Sequence, residues 1–207
     1  MKTLSLFLVR FLLFFFAFGV SLYALQYLNF RPDVLVLQSK TADLLAQWPW
    51  RIGFYGHIIG GILALSLGPF QFLRKFRTKN IPLHRLFGKV YVFAILIGSV
   101  CAFYAALYAN EGIVAQTGFA CLAIAWFYTT LRAYQAIRQG DLDGHKRWMV
   151  RSYACTMAAI TLRIWLPLGT VGFGISFPTM YRTVAWLCWV PNLLAAEWLI
   201  FRKKFEL

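Results

Sequence analysis

The chain has 207 residues, of which 60% are apolar or aromatic and only 14% charged, and its formal net charge is +14. Soluble domains carry about a quarter of their residues as charges, so a soluble fold is excluded: nothing of this size could bury so much apolar surface without a bilayer as its solvent. The basic excess does not indicate a nucleic-acid partner either. The Lys and Arg residues fall in loops between apolar runs, where they fix topology and meet anionic lipid headgroups, and no basic stretch alternates with aromatics along a polar face.

A spanning helix needs about 20 mostly apolar residues, and six runs meet that requirement. The first covers residues 4–30. Its start, Met1-Lys2, resembles a signal-peptide n-region, but residues 11–30 form a full span without a charge and no A-x-A cleavage site follows, so an uncleaved helix is expected. Arg10 can snorkel to the near interface. A mixed loop then closes on Trp48, Pro49 and Trp50, residues suited to the membrane interface. The second span covers 52–73. A strongly basic loop with Arg74, Lys75, Arg77 and Lys79 follows it, and Arg85 and Lys89 flank the third span, 87–108. Asn110-Glu111-Gly112 turns the chain into the fourth span, 113–136. The basic segment 138–147 leads to the fifth, 149–168. The Gly/Pro-rich stretch 169–179 leads to the sixth, 181–201, which Arg202, Lys203 and Lys204 end.

These elements make an all-α polytopic bundle in a single membrane domain, 1–207. The loops after spans two and four and both termini hold most of the Lys and Arg, so the positive-inside rule puts both termini in the cytoplasm. Cys101, Cys121, Cys155 and Cys188 all lie within apolar runs, with no CxxC or CxxCH signature, and read as small packing residues.

Ionisable groups inside a span are costly and mark partners or function. At about 1.5 Å per residue, His57 and Arg163 come to matching depth in the outer half, and no acid lies at that depth to neutralise Arg163. His57, Gly61, Ala64 and Gly68 share one face of the second span; Ser152, Thr156, Ala159 and Arg163 share one face of the fifth. Packing these small faces together would bring His57 to Arg163, with Thr156 beside them. Glu197 and Arg132 fall at similar depth in the inner half and suit a salt bridge between spans four and six. His84 and His145 stand at the inner ends of spans three and five, each among cations. Two imidazoles so placed could ligate one haem iron or another transition metal.

The order of these motifs is recognisable. His57-x3-Gly61, Gly68-Pro69-Phe70-Gln71-Phe72, His84-Arg85-x2-Gly88-Lys89-x-Tyr91, His145-x2-Trp148-Met149-x-Arg151-Ser152-Tyr153, Arg163 and Asn192-x4-Glu197 together resemble the bacterial membrane proteins grouped as domain of unknown function 2306. The likeness runs from about Tyr55 to Glu197. The family name carries no activity; what the resemblance implies is the fold and a motif to which the histidines and Arg163 belong.

Three function classes follow. A redox bundle would hold one b-type haem or a quinone. Three histidines cannot make two bis-histidine haems, so one haem on His84 and His145 is the most the chain allows, with His57 left to hydrogen-bond a quinone carbonyl. A transporter or lipid-handling protein would use Arg163, His57, Gln71 and Thr156 for an anionic ligand. A non-catalytic assembly factor is the third. No Ser-His-Asp set, HExxH, P-loop or Rossmann fingerprint is present.

Overall fold

The computed structural model describes residues 2–32 and 34–202. Lys203 and Lys204, expected to anchor the last span, lie outside the described residues, as does Met1. Six helices are long and apolar enough to cross a membrane, and no strand occurs among the described residues. They are α1 (Lys2–Ala24, continued by a 3-10 turn Leu25–Asn29), α2 (Trp48–Phe72), α3 (Ile81–Ala106), α4 (Ile113–Arg138), α5 (Leu142–Gly172) and α6 (Phe177–Phe201). Apolar side chains cover the outside: Phe93, Ile124 and Leu194 are 69%, 56% and 65% exposed, which only a lipid environment makes stable.

The helix starts differ from expectation on the basic side. α3 begins at Ile81 and α5 at Leu142, not at 87 and 149. The reason is local. Pro82 sits in the first turn of α3, where its missing N–H costs nothing. The Asp141 carboxylate caps α5 by accepting from Gly144 N at 2.7 Å. Both helices therefore rise out of the apolar slab carrying their basic residues, forming what we call the basic end. The loop 31–47 also holds two short helical turns, Leu35–Ser39 and Ala42–Ala46, and is tied to the α3–α4 turn. Lys40 Nζ donates to the Tyr108 carbonyl and to Asn110 Oδ1 (2.6 Å), while Asn110 Nδ2 donates to Ser39 Oγ at 2.8 Å. Burial there pushes the Lys40 ammonium below its usual pKa.

α2, α3, α4 and α5 enclose an axis. α2 packs along α3, α4 packs on both α3 and α5, and α5 returns to α2. The α2–α3 approach depends on glycine: a Cβ at Gly60 would stand 2.7 Å from the Ala94 carbonyl oxygen and 2.9 Å from Gly98 Cα. The tight face of α2 is thus Gly53, Gly56 and Gly60, facing α3, rather than the expected stripe through Gly61, beside which there is open space. Of that stripe, Gly68 meets α5, where the Tyr153 ring fills the place of a side chain.

α1 and α6 lie outside the ring. α1 lies on α2 and on the distal half of α5, with Phe14 edge-on to Phe70 at 5.0 Å. α6 is broken at Cys188–Trp189, because Pro191 has no N–H to continue the ladder. The Cys188 carbonyl, at the break, accepts from Thr161 Oγ1 (2.5 Å) and Asn192 Nδ2 (2.8 Å), the internal satisfaction that a break in hydrocarbon requires. Asn192 also donates to the Ala154 carbonyl at 3.2 Å, fixing α6 to α5.

Candidate functional site

The axis of the ring is polar along much of its length. At its centre Tyr91 (α3), Trp126 and Thr130 (α4), and Ser152 and Thr156 (α5) are at most 5% exposed. Trp126 Nε1 donates to Thr156 Oγ1 at 2.9 Å, and that hydroxyl donates to the Ser152 carbonyl at 3.0 Å. Thr130 Oγ1 donates to the Trp126 carbonyl at 2.8 Å and lies 2.7 Å from Ser152 Oγ. Each hydroxyl has one proton and two of them end on carbonyls, so the directions are forced. Ser152 must donate to Thr130, and Tyr91 Oη, with one proton to give, lies 3.0 Å from Ser152 Oγ and 3.2 Å from Thr156 Oγ1 as the donor shared between them. Thr156, expected to face a ligand, has its hydroxyl fully engaged here.

Toward the end opposite the basic one lie His57 and Arg163, the charge of Arg163 bearing on the His57 ring. The His57 ring meets Trp126 edge-on at 6.2 Å between centroids and lies against the Gly98 backbone of α3. Its Nδ1 is buried without a hydrogen-bond partner, and so is Arg163 Nε. Arg163 donates through one terminal nitrogen to the Ala159 carbonyl of its own helix at 2.8 Å, and its guanidinium carbon lies 5.4 Å from the centre of the Tyr23 ring. The groups that bear on its charge are Tyr23, Tyr27 and His57, with no carboxylate among them. Most of the described acids are engaged elsewhere: Glu111 faces Arg182, Asp141 caps α5, Asp143 faces Lys146 and Glu197 faces Arg151.

At the basic end His84 and His145 approach each other closely enough to interact electrostatically, with Arg77 bearing on both and Arg85 on His84. The cause is register. His84 and Tyr91 are seven residues apart on α3, and His145 and Ser152 are seven apart on α5. Both helices leave the basic end in the same direction. The Tyr91–Ser152 bond therefore places the two imidazoles at one level, about two turns nearer that end. His145 Nδ1 pairs with the Ala133 carbonyl at 2.9 Å, which fixes its tautomer and leaves Nε2 as the lone-pair nitrogen. His84 Nδ1 is buried without a partner, as are Gln71 Nε2 and Tyr153 Oη. Gln71 thus belongs to this end, facing α3 near Gly88, and not with His57 and Arg163.

The expected Arg132–Glu197 salt bridge does not form. Glu197 takes Arg151 in a two-pronged pair, Nε to Oε1 at 2.5 Å and a terminal nitrogen to Oε2 at 2.8 Å. After its break, α6 lies against the first half of α5, so at the level of Glu197 the neighbouring cation is on α5. Arg132 instead stacks over Trp148 at 5.5 Å, and Arg151 does so at 4.5 Å.

Three contributors were not read from the sequence: the Tyr91–Ser152–Thr130 hydroxyls, the Tyr153 phenol, and Tyr23 with Tyr27 of α1. The repeated spacing of seven was the available signal for the first. None existed for the α1 tyrosines, because nothing local says which helix covers Arg163.

Residues 54–200 match the model of a family described as predicted membrane protein (DUF2306). No curated protein and no solved structure matches the chain.

Proposed function

The chain belongs to the DUF2306 family of predicted membrane proteins, and from that premise we propose that it is a redox-type bundle of the bacterial cytoplasmic membrane, holding one b-type haem between His84 and His145. The carrying observation is the common level of the two imidazoles on parallel helices. A bare transition metal usually takes four protein ligands, and no group of three His, Cys, Asp or Glu ligands occurs among the described residues. A haem needs only two axial ones. The donor set suits that role. His145 is held by its Nδ1 bond to Ala133 with Nε2 free to ligate, and His84 retains an unpartnered ring nitrogen. Arg77 and Arg85 supply positive charge for propionates. When bound, such a group supplies one-electron chemistry; the chain supplies ligand spacing, tautomer and charge. A quinone is the redox alternative; it would leave the pair of imidazoles without a shared role.

The orientation belongs to the same proposal. The basic end and both termini face the cytoplasm, where Lys and Arg also meet anionic headgroups. The test is optical. Purified protein reconstituted with haem shows a Soret band that His84→Ala and His145→Ala each abolish, while His57→Ala keeps it. Protein that stays colourless in excess haem overturns the reading.

A further inference from the structure

Arg163 poses a problem of charge that the haem reading leaves untouched. Counted inward from Gly172, it lies nine residues into its span, and His57 lies nine residues in from Trp48. Both depths are about 13 Å at the rise of an α-helix. An unpaired cation held that far along a span is costly. The contacts present offset only part of this. The guanidinium has an aromatic face beneath it, and the one hydrogen bond it makes goes to a carbonyl of its own helix. The remaining neighbours, Tyr27 and His57, carry no negative charge at neutral pH. The site thus keeps a net positive charge, a buried guanidinium N–H without an acceptor and an imidazole nitrogen without a partner. The guanidinium stands over the Tyr23 ring, and the Trp126 ring meets His57 edge-on.

We propose that this end of the bundle binds one singly charged oxyanion, a phosphodiester or a carboxylate, carried on an apolar body. The oxyanion accepts from Arg163 and, as the imidazole takes up a proton beside it, from His57 Nδ1–H, the other ring N–H staying on the Gly98 backbone; the flanking rings cover the apolar part. A guanidinium suits this role because its planar fork pairs with two oxygens at once. Two sources have the same chemistry: the head of an anionic membrane lipid, and a free anion entering from the aqueous side. The site is independent of His84 and His145, so it stands or falls apart from the haem reading.

Wild-type protein, Arg163→Gln, His57→Gln and the basic-end control Arg77→Gln are embedded in phosphatidylcholine bilayers, with or without phosphatidylglycerol. A further phosphatidylcholine sample receives inorganic phosphate. Lipids retained after detergent extraction are counted by native mass spectrometry, and unfolding midpoints are recorded in each bilayer. The expected wild-type result is one phosphatidylglycerol retained about tenfold over phosphatidylcholine, the value of one charge-assisted contact. Arg163→Gln abolishes that preference, His57→Gln lowers it severalfold, and Arg77→Gln leaves it intact. A midpoint raised by inorganic phosphate in the wild type and not in Arg163→Gln supports the oxyanion site with the free anion as its source. Equal retention of the two lipids by the wild type, with no response to phosphate, overturns the proposal. Preference unchanged in His57→Gln overturns it also, and that variant decides the matter should Arg163→Gln fail to fold.

Discussion

In the middle of the bundle, Tyr91, Trp126, Thr130, Ser152 and Thr156 use their donors on one another and on two backbone carbonyls. Toward either end the same four-helix ring leaves polar atoms buried and unmatched: His57 Nδ1 and Arg163 Nε at one, Gln71 Nε2, His84 Nδ1 and Tyr153 Oη at the other. All these groups are shielded from water, so the contrast is one of pairing. Leaving a buried polar group unmatched costs about 1–3 kcal/mol. A bundle that closes its network at the centre and leaves it open at both ends therefore carries its instability where ligands would relieve it. The centre sets the spacing of the helices, and the ends hold the chemistry.

Paired substitutions test this contrast most directly. Tyr91→Phe removes the donor that links α3 to α5 and leaves two hydroxyls short of a partner. A loss of about 1–2 kcal/mol is expected, between the usual value of a hydrogen bond in a membrane protein and the cost of unmatched buried groups. Reversible unfolding in mixed micelles measures it; a loss under a few tenths would mean that the centre is no tighter than the ends. Tyr153→Phe is the opposite case. Its phenol is buried to 4% exposure and has no partner, so removing the hydroxyl is neutral or stabilising by up to about 1 kcal/mol. Destabilisation on the scale of Tyr91→Phe would show that Tyr153 Oη is matched after all. The smallest effect is expected for Glu197→Gln. The carboxylate side chain is 51% exposed, and exposed pairs contribute about 0–1 kcal/mol. Arg132→Gln combined with it should add nothing beyond its own effect, since Glu197 pairs with Arg151.

The reach of the sequence follows the same division. Six spans were legible because about 20 apolar residues leave a signal that needs no tertiary context. Level along a helix can be counted as well, since the rise per residue is fixed. The first turns of α3 and α5 were missed because hydropathy ends where the bilayer ends, whereas a helix capped by Asp141 or opened by Pro82 continues into the basic layer. Lateral neighbours were not legible. Arg132 and Arg151 are both plausible partners for Glu197 by depth, and only the break at Cys188–Trp189 decides which helix α6 meets below it. The glycine stripe failed for a related reason: Gly60 and Gly61 are one residue apart in sequence and about 100° apart around the helix.

Tyr91 has a mechanical consequence. Its phenol is a strut between two helices that start from the same end in the same register, and each carries a histidine seven residues below the joint. A strut of that kind works as a gauge. Because both helices leave the joint in one direction, the level of one imidazole relative to the other is set there. The alignment of the pair at the basic end is in this sense machined at the middle of the membrane, by a residue that touches neither histidine.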